Sequence, residues 1–225
     1  MEKITVLGAG SWGTAQALLL SKKTRQIALW GRIEDGIELM RTKQENKHFL
    51  PGVRLPDNVE PTGDLKAAIE NTELIVLAVP TQAVREVLIL LTPHLKRDTI
   101  IVNTAKGLEI ETTMRLSQVA ADVLGNKIRK NYAVLSGPSH AEEVARGVPT
   151  VVTVASYSRE AAIFVQDAFM SPVFRVYTNP DVAGVELGGA LKNIVALATG
   201  MCDGLGFGDN TRAALMTRGL TEITR

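Results

Sequence analysis

Apolar residues fall along this chain in short unbroken runs separated by longer segments of mixed polarity. Residues 3–7, 26–30, 74–79, 99–103, 132–136, 150–155 and 174–178 are the runs, rich in Val, Ile and Leu. Runs without alternating polar positions predict strands covered on both faces. Between them, residues 64–70 (with Asp64 as an acidic N-cap), 81–91, 112–124 and 159–170 predict helices, and the charged segment 34–47 predicts a surface helix. Residues 48–56 hold two prolines and a glycine and predict a loop, with Phe49 expected to fill that loop's own core, the alternative being that it lies against a bound ligand. Strand and helix alternate, so an α/β fold is expected, with a doubly wound, mostly parallel sheet.

The first run passes directly into Gly8-Ala9-Gly10-Ser11-Trp12-Gly13 and then into a helical stretch, 15–20. Strand, G-x-G-x-x-G and helix together predict a Rossmann-type dinucleotide site. Gly8 permits the turn, Gly10 lets a pyrophosphate approach the backbone, and Gly13 lets helix pack on strand. An ordinary glycine-rich turn is the alternative that the motif alone leaves open. At the end of the second run, where an acid would accept from a ribose 2′-OH, stands Arg32. A guanidinium suits a 2′-phosphate, so NADP(H) is expected to be preferred over NAD(H), with Glu34 or Asp35 still able to serve a ribose.

At Asn179-Pro180-Asp181 the pattern changes. No further strand is predicted, 182–200 is one long apolar helix, 203–209 a glycine-rich turn, and a last helix starts at Asn210 without a capping signal at Arg225. The expected division is a dinucleotide-binding domain over 1–179 and the beginning of an all-helical, incomplete substrate-binding domain over 180–225. Gly188 and Gly189 inside the long helix each cost about 1 kcal/mol relative to Ala, which predicts close approach by a neighbour. Lys192 is the sole charge between Glu186 and Asp203 and is the candidate proton carrier; the alternatives are a snorkelling lysine or a pair with Glu186. Lys106 ends a strand and is a candidate for a substrate anion, as are the N–H groups and hydroxyl of Gly137-Pro138-Ser139; a surface lysine and a plain helix cap are their alternatives.

Composition narrows the partners. With 25 basic and 24 acidic residues in 225, the chain has no bulk positive charge for nucleic acid or an anionic membrane surface. No stretch reaches the length of a membrane span without polar interruption. Cys202 is the only cysteine, as in a reducing cytoplasm, and His48, His94 and His140 are isolated, so no metal site is expected.

Several of these segments resemble the bacterial-type NAD(P)-dependent glycerol-3-phosphate dehydrogenases. The matching stretches are Gly8 to Ala15, His48-Phe49-Leu50-Pro51-Gly52, Ala78-Val79-Pro80, Lys106-Gly107-Leu108-Glu109, Gly137 to Glu143, Glu186 to Asn193 and Thr211 to Leu220, in the family's order. The resemblance implies reversible oxidation of sn-glycerol 3-phosphate to dihydroxyacetone phosphate, feeding glycerophospholipid synthesis. It implies cofactor contacts at Ser11, Trp12, Arg32, Lys106 and Ala141, and substrate contacts at Lys106, Gly137 and Ser139. Lys192 would be the proton acceptor and Asn193 its support. His140 stands where an aromatic is usual and Gln16 where a small residue is commoner. Family members continue past the equivalent of Arg225 with a phosphate clamp, which implies that residues 1–225 alone bind cofactor and turn over weakly or not at all. Two readings compete: a hydroxyacid or 6-phosphogluconate-type dehydrogenase, and a non-catalytic NADP(H)-sensing module. Oligomeric state stays open, with a homodimer among the outcomes.

Overall fold

The computed structural model describes residues 1–225. In chain order the elements are β1 (Lys3–Leu7), α1 (Ser11–Ser21), β2 (Gln26–Trp30), α2 (Ile37–Lys43), β3 (Val59–Thr62), α3 (Leu65–Ile69), β4 (Leu74–Leu77), α4 (Val84–Leu91), β5 (Ile100–Asn103), α5 (Leu116–Leu124), β6 (Tyr132–Ser136), α6 (Ala141–Ala145), β7 (Thr150–Ser156), α7 (Arg159–Phe169), β8 (Phe174–Asn179), α8 (Val182–Gly204) and α9 (Gly208–Ile223). The strands form one sheet in the order β3-β2-β1-β4-β5-β6-β7-β8. Alternate residues of the central strands enter two apolar clusters: Leu74, Val76 and Val102 on one face, Ile75, Leu77 and Ile101 on the other. Both faces are therefore covered, which is why those runs carry no polar alternation.

Every strand pair is parallel except β6 with β7. Between them α6 packs on α1 rather than carrying the chain back along the sheet, and β7 enters the sheet from the end where β6 leaves it.

Three expectations are corrected, and one strand was not foreseen: residues 59–62, between the expected loop and the helix after it, form an edge strand, β3, whose Pro61 lacks an N–H. The helix expected from Thr112 begins at Leu116, because Leu108 pairs with Arg115 and Thr113 has φ +57°, closing a turn. The surface helix expected over 34–47 is divided by Gly36 at φ +76° into a single turn, Ile33–Asp35, and α2, which buries Ile37 and Met40. The long helix runs to Gly204, four residues past its expected end, leaving only Leu205-Gly206-Phe207 as the turn into α9.

At Asn179 β8 ends, and Asp181 caps α8 by accepting from the Gly184 amide at 2.9 Å. By length and composition alone, α8 is long and apolar enough to cross a membrane, with mean hydropathy 1.3 over its most apolar window. Its first turns pack on β6 and β7 and bury Glu186, while Ile194, Leu197 and Met201 further along are exposed.

Candidate functional site

A cleft of about 880 Å³ opens at the carboxyl ends of the strands, where ligands bind in sheets of this kind. Its wall begins with the loop after β1. Gly8 has φ +115°, and a Cβ there would lie 2.6 Å from the Ala78 carbonyl oxygen; a Cβ on Gly13 would lie 1.8 Å from that of Gly8. Those two glycines are needed for packing. Gly10 has nothing within 4 Å of its missing Cβ, so the backbone there faces open space. As the N-cap of α1 it offers no side-chain acceptor to the first turn, which also holds no acidic residue. Beside it, the Trp12 Nε1 donor is buried without a partner. Free helix-start amides and an open approach fit the diphosphate of a dinucleotide.

Expected site residues fall into two groups. Gly8, Gly10, Ser11, Trp12, Arg32, Lys106, Ser139 and Ala141 all line the cleft. Gly13 lies behind its loop, and Gly137, Lys192 and Asn193 are outside the lining. Gly137 is pressed against β7, where a Cβ would meet the Val151 carbonyl at 2.9 Å. Phe49 does not fill its loop's core: Leu50 does that, and Phe49 faces the cleft with His48 edge-on at 4.5 Å. His140 also reaches the cleft, exposed, with Nδ1 3.0 Å from the Glu142 carboxylate.

Lys106 leaves the end of β5 and turns inward. Its carbonyl accepts from Thr81 Oγ1 at 2.9 Å, and its Nζ donates to Ser139 Oγ at 3.0 Å and stands 5.6 Å from the Trp12 ring centre. Burial, and then the Lys192 ammonium, lower its pKa from 10.5 to about 8. Lys192 Nζ donates to Asn193 Oδ1 at 2.8 Å. It does not pair with Glu186, whose carboxylate is taken by Arg115 and Ser117. The close approach expected at the double glycine is made by Gly189 alone, where a Cβ would lie 2.3 Å from Ser136 Oγ and 3.9 Å from Lys106 Cγ. This contact brings α8 down onto β6 beside Lys106.

Lys106 carries a pH signature. Its folded pKa lies below the unfolded value, so between about pH 8 and 10.5 the unfolded chain binds more protons and stability rises with pH. Below that window the half-buried charge is a liability. Lys106→Met is therefore expected to raise the melting temperature at neutral pH, with the gain shrinking as pH climbs through the window. Thermal melts across this range check it; a gain that does not vary with pH contradicts it.

Sequence reasoning missed two parts of the site, and it named Asp35 for a ribose without foreseeing its tie to Arg32. Asn46 is buried and donates from Nδ2 to the Ala9 carbonyl at 2.8 Å and Thr14 Oγ1 at 2.7 Å, bracing the glycine loop from a segment that looked like exposed surface. Glu86, Val87 and Leu90 of α4 form the opposite wall. Asp35 holds Arg32 in a bidentate pair, Nε to Oδ2 at 3.3 Å and Nη2 to Oδ1 at 3.2 Å. An Asp three residues from an Arg was the visible signal for that pair.

A doubly wound sheet with a glycine loop opening onto this cleft, followed by a helix that lays a lysine beside it, defines the class: a dinucleotide-binding protein of the Rossmann type with dehydrogenase architecture. Comparison with known proteins narrows the class to one family. The N-terminal model of NAD-dependent glycerol-3-phosphate dehydrogenase matches residues 3–162 and the C-terminal model residues 181–225, and the chain belongs to that family. Over 225 residues it is 63% identical to a glycerol-3-phosphate dehydrogenase (NAD(P)+) of Syntrophomonas wolfei, and over 224 residues 60% identical to that of Moorella thermoacetica. It covers 66% of the length of each. Among solved structures, glycerol-3-phosphate dehydrogenase from Coxiella burnetii superposes with TM-score 0.91 at 41% identity, over 100% of this chain and 68% of that one.

Proposed function

We propose that the protein interconverts sn-glycerol 3-phosphate and dihydroxyacetone phosphate with a nicotinamide nucleotide, supplying glycerol 3-phosphate for glycerophospholipid synthesis in the cytoplasm. Residues 1–179 hold the nucleotide and 180–225 begin the part that closes over the substrate. The observation that carries this reading is Lys106: a half-buried, hydrogen-bonded ammonium lining the cleft, with a second ammonium bearing on it from α8.

The nucleotide supplies the hydride when bound. The chain's own residues do the rest. Amides at the start of α1, beside Gly8 and Gly10, hold the diphosphate, with Ser11, Trp12 and Ala141 along its path. Lys106 and Ser139 face the reacting end and bind substrate oxygen, with the Gly137 turn placing Ser139. Reduction of the ketone adds a hydride to carbon and a proton to oxygen. Lys192 Nζ gives that proton and takes it back in the reverse direction, held by Asn193.

The test of this reading is oxidation of NADPH or NADH on adding dihydroxyacetone phosphate to the protein. Turnover to glycerol 3-phosphate is expected. Tight nucleotide binding without turnover would instead favour a sensor.

A further inference from the structure

The far end of the cleft, past β2, is where the two nicotinamide nucleotides differ, since only NADP(H) carries a 2′-phosphate on its adenosine ribose. Arg32 is the cation there, and it is not free. Asp35 grips its guanidinium through two hydrogen bonds and also accepts from the Arg32 backbone N–H at 3.1 Å. The two partners are unequally placed. The Arg32 side chain is 68% exposed and that of Asp35 only 20%, so the carboxylate is the fixed member and the guanidinium the movable one. Partial burial raises the Asp35 carboxyl, but the bonds from Arg32 outweigh it and hold the group below its usual range, ionised at neutral pH. Arg32 is also under the fields of Glu34 and of Glu86 on α4. One guanidinium thus stands among three carboxylates, and Arg32, Asp35 and Glu86 all line the cleft.

We infer that Asp35, rather than Arg32 alone, sets the choice between the two nucleotides. Its carboxylate occupies the guanidinium that a 2′-phosphate requires, repels that phosphate, and offers an acceptor to the 2′-OH of NAD(H). The preference for NADP(H) that Arg32 suggests by itself is accordingly cancelled, and the two nucleotides bind with similar affinity. This rests on the nucleotide-binding reading of the cleft, and the test separates the two claims.

Trp12 and Trp30 are the two tryptophans of the chain and both line the cleft, so intrinsic fluorescence reports its occupancy directly. Wild type, Asp35→Asn and Asp35→Ser are titrated with NADPH and with NADH. Asparagine keeps an acceptor for the Arg32 backbone amide while removing the charge, and serine guards against a fault specific to either variant; melting temperatures establish that both are folded. The wild-type dissociation constants are expected to agree within about threefold, and both variants to move their ratio toward NADPH by about tenfold, mostly by tightening NADPH. A wild type already favouring NADPH by tenfold or more, or a ratio the folded variants leave unchanged, overturns the role of Asp35. Failure of both nucleotides to change the fluorescence would overturn the cleft assignment itself.

Discussion

Lys192→Ala is expected to lower kcat by about 10²- to 10⁴-fold while the dissociation constant of either nucleotide stays within about threefold, the signature of losing a proton carrier outside the nucleotide cleft. Lys192 does not line that cleft, so its truncation removes no surface the nucleotide covers. A second readout separates this role from a merely structural one. The Lys192 ammonium is one of the two causes that lower the Lys106 pKa toward 8. Its removal should move the Lys106 titration upward, and the alkaline limb of substrate-anion binding should follow. Steady-state kinetics over pH, with fluorescence titration of nucleotide, check both. A variant that keeps more than a tenth of wild-type kcat, or an alkaline limb that stays in place, contradicts the assignment.

How much of this site the sequence disclosed depends on the kind of signal each residue left. The strands buried on both faces were legible because burial demands unbroken apolar runs, and Gly8 and Gly13 because only glycine fits where backbones meet. β3 was hidden because an edge strand tolerates Pro61 and an exposed Glu60, which locally resemble a loop. The start of α5 was misplaced because the turn at Thr113 is braced by a tertiary partner: Glu109 accepts from Arg85 at 2.8 and 2.9 Å, a contact no local pattern encodes. The same holds for charge. Lys192 stood out as a lone cation in an apolar helix, whereas the lowered pKa of Lys106 left no local signal, since its burial depends on what α8 covers when Gly189 lands on Ser136. Arg32 suggested a phosphate, and only the folded chain shows Asp35 already holding it.

Glu186→Ala is expected to be the most destabilising single change in α8, at about 3 kcal/mol, because a buried ion pair broken on one side leaves the other charge without a partner. The Glu186 side chain is 4% exposed. It accepts from Arg115 Nη1 at 2.7 Å, from the Ser117 amide at 2.7 Å, from Ser117 Oγ at 2.5 Å and from the Tyr132 hydroxyl at 3.4 Å. Burial, with the charge and hydrogen bond of Glu186 behind it, pushes the Tyr132 phenol well above its ordinary pKa, so it remains a donor. One carboxylate thereby ties α8 to the start of α5 and to β6. Arg115 is 20% exposed, so water recovers part of the loss, which places the cost at the lower end of the range for broken buried pairs. For a domain of this size that corresponds to a fall in melting temperature of roughly 6 to 12 °C. Glu186→Gln keeps an acceptor for the Ser117 amide and should cost about half as much. Because Lys192 lies on the same helix, Glu186→Gln is further expected to lower kcat with little change in nucleotide affinity, while Lys192→Ala leaves the melting temperature close to wild type. Thermal melts and kinetics on the three variants decide the matter. A Glu186→Ala protein that melts within about 2 °C of wild type would show that α8 is held against the sheet by apolar packing alone.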